Sequence, residues 1–285
     1  MNGSNYYSNW IEYDNMNELQ KTELELLKSF IEICNKLNLK YFLVCGTALG
    51  AIKYGGFIPW DDDIDVALCR KDYEIFCEKA QGYLPDGVFL QTYKTDSNYP
   101  CIFAKLRNSQ TTYIEKSCRN INMNHGVYID VFPLDGYPES LKLQKKLERK
   151  KLIYKLKLSC VYDMNFSFKG KMLRKILRIC GVHKRTVTIL DKYEKMISSY
   201  PIDSSQIWCN HGNWQGKLEY APKEQYGDGV MMNFEGITVR VPEKYNEYLT
   251  QKYGDWRADL PKEEQVGHHY YSVLDLSKPY TEYIK

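Results

Sequence analysis

The chain has 285 residues, 44% of them hydrophobic and 26% charged, with a net charge of +3. That length supports one large domain or two modest ones, and the composition is ordinary for a soluble globular protein. No run approaches the roughly 20 apolar residues that would span a bilayer, and the polar start MNGSNYYSNWIEYDN has no signal core.

The nine cysteines (Cys34, Cys45, Cys69, Cys77, Cys101, Cys118, Cys160, Cys180, Cys209) form no CxxC pair and no zinc-like spacing, which predicts free thiols in a reducing cytoplasm. The 25 tyrosines suit half-buried and strand surfaces.

Leu24, Leu27, Ile31 and Cys34, widened by Leu26, Phe30, Ile33 and Leu37, predict an amphipathic helix over 17–38. Tyr41–Cys45 reads as a short buried strand. Gly46-Thr47 reads as a tight turn into a brief helix, Ala48–Tyr54, whose N–H groups face an anion. Gly55-Gly56 ends that helix, and the acids Asp61, Asp62, Asp63 and Asp65 follow within five positions. On a strand, Asp61, Asp63 and Asp65 share one face while Asp62 points away. Four carboxylates beside apolar residues repel one another, so a divalent metal holding a phosphate-bearing substrate is expected there.

Lys71–Ala80 reads as a helix, and Val88–Tyr93 and Ile102–Arg107 as strands. Lys105 and Arg107 share a face, either as solvated edge cations or as partners for substrate phosphates. In the strand GVYIDVFP, Tyr128, Asp130 and Phe132 face one way, and Asp130 is a lone carboxylate that is salt-bridged, capping or coordinating. Asp135 reads as a turn residue.

Residues 139–200 read as helical, broken near Asn165–Gly170 and at Gly181. From Leu141 to Arg185, fifteen Lys or Arg face two acids, giving +13 and leaving −10 for the rest of the chain. Leucines and isoleucines interleave with these cations. The segment is therefore either a pair of surface helices with solvated basic faces or a face for anionic lipid headgroups. No nucleic-acid motif accompanies it. In the tail, Phe234–Val241 reads as a hairpin or strand and Glu243–Tyr253 as a helix. Neither HxH nor HxxxH spacing surrounds His268 and His269. An adjacent pair reads most simply as structural, and His268 is kept among the substrate-binding candidates.

An EF-hand reading of Asp61–Asp65 fails because Val66 stands where glycine is required. A nucleotide-sugar glycosyltransferase using Asp-x-Asp is a rival. The third reading is a nucleotidyltransferase-type site, with Gly46-Thr47, Asp63-Ile64-Asp65 and Asp130 in that order. The block GTALGAIKYGGFIPWDDDIDVALCRKDYEIF, followed by AKLRNSQTTYIE, GVYIDVFPLDG, FEGITVRVPEKYNEYL and YGDW, resembles the LicD family of phosphocholine transferases, which is related to fukutin and fukutin-related protein.

The resemblance implies an α+β fold with a nucleotidyltransferase-type mixed sheet flanked by helices. It would comprise a catalytic core over 1–136, a basic helical insertion over 137–200 and a substrate-binding C-terminal part over 201–285. It implies Mg²⁺ (or Mn²⁺) held by Asp63, Asp65 and Asp130, with Asp61 in support and Gly46-Thr47 approaching the donor phosphates. The implied reaction is transfer of a phospho-substituent, phosphocholine from CDP-choline in the first instance, to a glycan hydroxyl with release of CMP. Phosphoethanolamine, glycerol phosphate and ribitol phosphate are the alternatives. The implied acceptor is a lipid-linked precursor of teichoic acid, lipopolysaccharide or capsule, met at the inner face of the membrane. Lys105 and Arg107 would steady the diphosphate, and Trp208, Trp214 and Tyr220 would receive a quaternary ammonium.

Overall fold

The computed structural model describes residues 17–162, 168–212, 216–267 and 269–284. Helix α1 (Glu18–Leu37) opens on a capping box: Asn17 Oδ1 accepts from the Gln20 N–H at 2.9 Å, and Gln20 Oε1 accepts from the Asn17 N–H at 3.2 Å. Its stripe of Leu24, Leu27, Phe30, Ile33 and Cys34 is buried, as the spacing predicts.

There follow β1 (Tyr41–Leu43), α2 (Cys45–Lys53), β2 (Asp65–Cys69), α3 (Arg70–Lys79), β3 (Val88–Gln91), β4 (Ala104–Asn108), β5 (Thr112–Glu115) and β6 (Val127–Gly136). The main sheet runs β1-β2-β6-β4-β3, with β2 and β6 parallel and the other neighbours antiparallel. This is the mixed α+β architecture expected. Every residue of β6 is buried, and α1 and α3 pack against this part of the sheet.

The basic segment forms α4 (Leu141–Leu158), α5 (Phe168–Ile179) and α6 (Thr186–Ile197), with the break at Gly181 lying in the left-handed region at φ +71°. Leu147, Leu158, Leu190, Tyr193 and Ile197 build a small core of their own with Tyr93, Ile102, Tyr137 and Cys209. Tyr154 stacks on Tyr193, with ring centroids 5.2 Å apart. Helix α5 buries none of its residues. The expected break at Asn165–Gly170 falls partly outside the described residues, and α5 already begins at Phe168.

Asp135 is no turn residue, because β6 runs on through Gly136. Its carboxylate is buried and forked onto Arg70 at 2.7 and 2.8 Å, and Arg70 also reaches Glu194 of α6 at 3.1 Å. That shared arginine fastens the helical segment to the sheet.

The chain then returns to the sheet. β7 (Ile207–Cys209) pairs with the end of β6 and with β8 (Tyr220–Pro222). After α7 (Lys223–Tyr226), β9 (Val230–Phe234) and β10 (Ile237–Val241) form a hairpin whose first strand precedes the expected Phe234–Val241 stretch, and α8 (Tyr245–Tyr253) follows. The last strand, β11 (Tyr271–Asp275), pairs antiparallel with β5, setting Tyr271 opposite Glu115. None of the nine cysteines is in a disulfide, in line with the scattered spacing. Among the described residues, no helix is long and apolar enough to cross a membrane.

Candidate active site

The site grows from one row of the sheet. Register sets Asp65 of β2 opposite Asp130 of β6, and Asp130 opposite Lys105 of β4. Residues opposite one another on neighbouring strands lie on the same face, so two carboxylates and an ammonium stand side by side. Lys105 Nζ lies 2.7 Å from Asp130 Oδ1, 3.9 Å from Glu115 of β5, and 3.2 Å above the Tyr128 ring centroid.

Asp61 and Asp63 are not on the strand with Asp65. The ladder begins only where the Asp130 N–H reaches Ile64 O at 2.8 Å. Residues 61–64 form a loop: the Asp61 N–H donates to Ile58 O at 2.9 Å, and its carbonyl accepts from Gln20 of α1 at 3.0 Å. The pleat therefore does not sort these acids. Asp61, Asp63, Asp65 and Asp130 nevertheless line one cavity of about 550 Å³ with Gly46, Lys105, Glu115 and His269. Tyr99, Phe103, Phe132 and Tyr162 supply an aromatic part of its wall, and Tyr54, Trp60, Tyr253 and Trp256 another.

Asp62 turns to the C-terminal segment. Its carboxylate accepts from the His269 N–H at 3.0 Å and meets His269 Nδ1 at 3.1 Å, while His269 Nε2 lies 3.7 Å from Asp63. Gly267 permits this approach, because a Cβ there would stand 2.6 Å from Asp62 Oδ2.

The electrostatics follow from crowding. Burial, then Asp63 and Asp62, push the Asp61 carboxyl up to about 8. Burial and neighbouring carboxylates raise Asp65 well above its ordinary range. Burial also raises Asp63 and Asp130, against the pull of His269 on the first and Lys105 on the second. Burial works against the His269 charge, but the Asp62 hydrogen bond and the Asp63 and Glu115 carboxylates hold the imidazolium up to about 10. Glu23 of α1 is raised well above its ordinary range by burial and then by Asp63, Asp61 and Asp62.

Among the expected residues, Gly46 lines the cavity, and a Cβ on it would lie 2.8 Å from Asp61 Oδ2. Gly46-Thr47 is no separate turn, since α2 already begins at Cys45. Thr47 stands behind the acids, its hydroxyl accepting the Asp65 N–H at 2.8 Å. Arg107 is fully buried outside the cavity wall; its guanidinium donates to Gln91 Oε1 at 2.5 Å and to Gly126 O at 2.6 Å. Trp208 donates to Ile202 O at 3.1 Å and packs on Tyr226, and Tyr220 is bound to Glu148 and Lys151 at 2.6 Å each. Neither lines the cavity. Trp214 and His268 lie outside the described residues.

Glu115 and His269 are the site residues that sequence reasoning missed. The only signal was the histidine doublet; Glu115 sits in the quoted TYIE run with nothing to mark it.

The donor set suits a divalent cation. Asp65 and Asp130 are buried and Asp61 and Asp63 half-buried, all four offering hard oxygen atoms whose repulsion a cation would relieve. A group of ligand atoms within 4.8 Å of one another comes from Asp62, Asp63 and His269. Asp63 belongs both to that group and to the expected set of Asp63, Asp65 and Asp130, whose ligand atoms do not gather within that distance.

Residues 38–151 match the family model described as LicD/FKTN/FKRP, nucleotidyltransferase domain. The chain is 29% identical over 263 residues to the lipopolysaccharide cholinephosphotransferase LicD of Haemophilus influenzae, covering 89% of this chain and 96% of that one. It is also 28% identical over 120 residues to an uncharacterized protein of Rickettsia prowazekii, covering 40% of each.

Proposed function

Since the chain belongs to the LicD family and is a phosphotransferase, we propose that it transfers phosphocholine from CDP-choline to a hydroxyl of a cell-surface glycan precursor. The observation that carries this reading is the row Asp65–Asp130–Lys105, which opens with Asp61 and Asp63 into one cavity. The lipopolysaccharide substrate in the Haemophilus relative's name supports a lipid-linked glycan as acceptor, met by a protein that works at a membrane face.

In the reaction, the acceptor oxygen forms a bond to the phosphorus carrying choline, and the bond from that phosphorus to the CMP oxygen breaks. Asp63, Asp65 and Asp130 would hold Mg²⁺ (or Mn²⁺), which when bound supplies charge to the attacking and leaving oxygens. Lys105 stands at the same row to meet phosphate charge. The proton released by the acceptor hydroxyl passes to a carboxylate of the cluster. Asp130 is tied to Lys105, so Asp61, which lines the cavity outside that ion pair, is the carboxylate placed to take it. The quaternary ammonium is received by the aromatic wall of Tyr99, Phe103, Phe132 and Tyr162 in place of Trp208 and Tyr220.

The decisive experiment is a thermal-shift panel with Mg²⁺ and CDP-choline, CDP-ethanolamine, CDP-ribitol, CDP-glycerol and UDP-sugars, paired with an assay of CMP release. CDP-choline is expected to stabilise the protein most. Asp63→Asn and Asp65→Asn should each lower CMP release roughly 10²–10³-fold while raising the melting temperature without metal, since each removes one repelling charge. A shift with UDP-sugars alone would replace this reading by a glycosyltransferase.

A further inference from the structure

Helix α5 presents an apolar stripe that nothing among the described residues buries. Phe168, Met172, Ile176 and Ile179 lie at spacings of four, four and three and are 83, 55, 48 and 76% exposed. The helix carries five cations, Lys169, Lys171, Arg174, Lys175 and Arg178, and no acid. Its packing is confined largely to the short turn at 182–185. A monomer that leaves such a stripe open beside a dense positive charge has the composition of a helix lying in a lipid interface.

We infer that the exposed face of α5 docks on an anionic phospholipid bilayer, with Phe168, Met172, Ile176 and Ile179 entering the acyl boundary and the flanking lysines and Arg178 meeting headgroup phosphates. Charge complementarity selects this occupant. A second copy would bring five more cations against the same face, and a nucleic acid has no use for the apolar stripe. Long lysine and arginine stems accommodate such placement by lying along apolar surface with their charges at the interface. The exposed side of α4 carries the same mixture, with Leu141, Leu152, Ile153 and Leu156 among lysines.

The position of α5 in the chain adds a reason. Tyr162, shortly after α4, lines the active-site cavity and donates its hydroxyl to Pro100 O at 3.2 Å. The docking helix therefore starts within six residues of the cavity wall. The inference extends the proposed function, in which the acceptor is carried on a lipid, by naming the surface that brings the cavity to it.

The test is flotation of the full chain with vesicles of phosphatidylcholine alone, or with about one-third phosphatidylglycerol, across about 0.05–0.5 M salt. Binding is expected to the anionic vesicles, weakening as salt rises. Met172→Glu/Ile176→Glu should lower it roughly ten-fold or more, and Lys171→Glu/Lys175→Glu should lower it and blunt its salt dependence. Both double variants alter exposed side chains, so their melting temperatures and their CMP release from soluble donor should stay at the wild-type level. Absence of binding to anionic vesicles at low salt, or wild-type binding by the Met172/Ile176 variant, would overturn the inference. So would self-association that this variant abolishes while vesicles are ignored. Vesicle binding without transferase activity would leave the docking surface standing and remove the proposed function.

Discussion

Lys105 is the residue on which the acidic site depends for its folded form. It is buried at 4% exposure with Asp130 at 2.7 Å and Glu115 at 3.9 Å, and burial's tendency to lower its pKa is overcome by those two carboxylates. Lys105→Met keeps most of the volume and removes the charge, leaving buried Asp130 and half-buried Glu115 without the ammonium between them. A loss of about 3 kcal/mol is expected in urea unfolding, with part of it restored when Asp130→Asn is added. Its neighbour in the pleat shows where the sequence stops informing. Alternation correctly places Arg107 on the same face, and both cations flank the Tyr128 ring. What Arg107 meets is decided by the β3–β4 register and the turn at Gly126, which local spacing does not encode. His269 was hidden for the same reason: a distant segment delivers it.

At the scale of elements, α2 shows how the site is positioned from behind. The helix begins at Cys45, whose N–H is held by the Tyr248 hydroxyl of α8 at 3.1 Å, and Thr47 follows with its side chain on the Asp65 N–H. Thr47→Val is nearly isosteric but strips that buried N–H of its acceptor. It should cost about 1–3 kcal/mol and lower kcat by letting Asp65 drift, both read from denaturation and CMP-release assays. Helix α1 was legible from its period alone, the stripe from Leu24 to Cys34, and the Asn17/Gln20 cap found in the structure specifies the same element. β2 was legible only from Asp65 onward. The acids before it read as strand by alternation, yet Gln20 and Ile58 hold them as a loop, and contacts from outside the segment outweigh its pattern.

Across the whole molecule, a seam between two cores runs close to the boundary of the basic segment. The segment from Leu141 to Arg185 carries +13 against −10 elsewhere, and α4 and α6 build a core distinct from the one beneath the main sheet. Composition exposed the charge asymmetry but not the seam. The buried Arg70–Asp135–Glu194 junction across it could not be read before the fold was known. Near the seam, burial holds His211 well below its ordinary 6.5, with Lys151, Arg70 and Lys155 adding to the effect. It is neutral in the folded protein and takes up a proton near 6.5 when unfolded. Its contribution to stability is therefore intact above that pH and lost as pH falls below it, by up to about 1.4 kcal/mol per pH unit. The difference in urea midpoint between wild type and His211→Gln should consequently narrow from pH 7.5 to pH 5.

The Asp62–His269 contact joins residues 207 positions apart. On the ribosome, the acidic loop emerges before its partners as a cluster of like charges, and Lys105 and Asp130 arrive only after a further stretch of synthesis. The imidazolium that faces Asp62 and Asp63 arrives later still, with the strand that pairs to β5. Closure of this cluster therefore waits on a segment far downstream of the acids, and a nascent chain still tethered upstream of Gly267 holds Asp62 and Asp63 without their imidazolium.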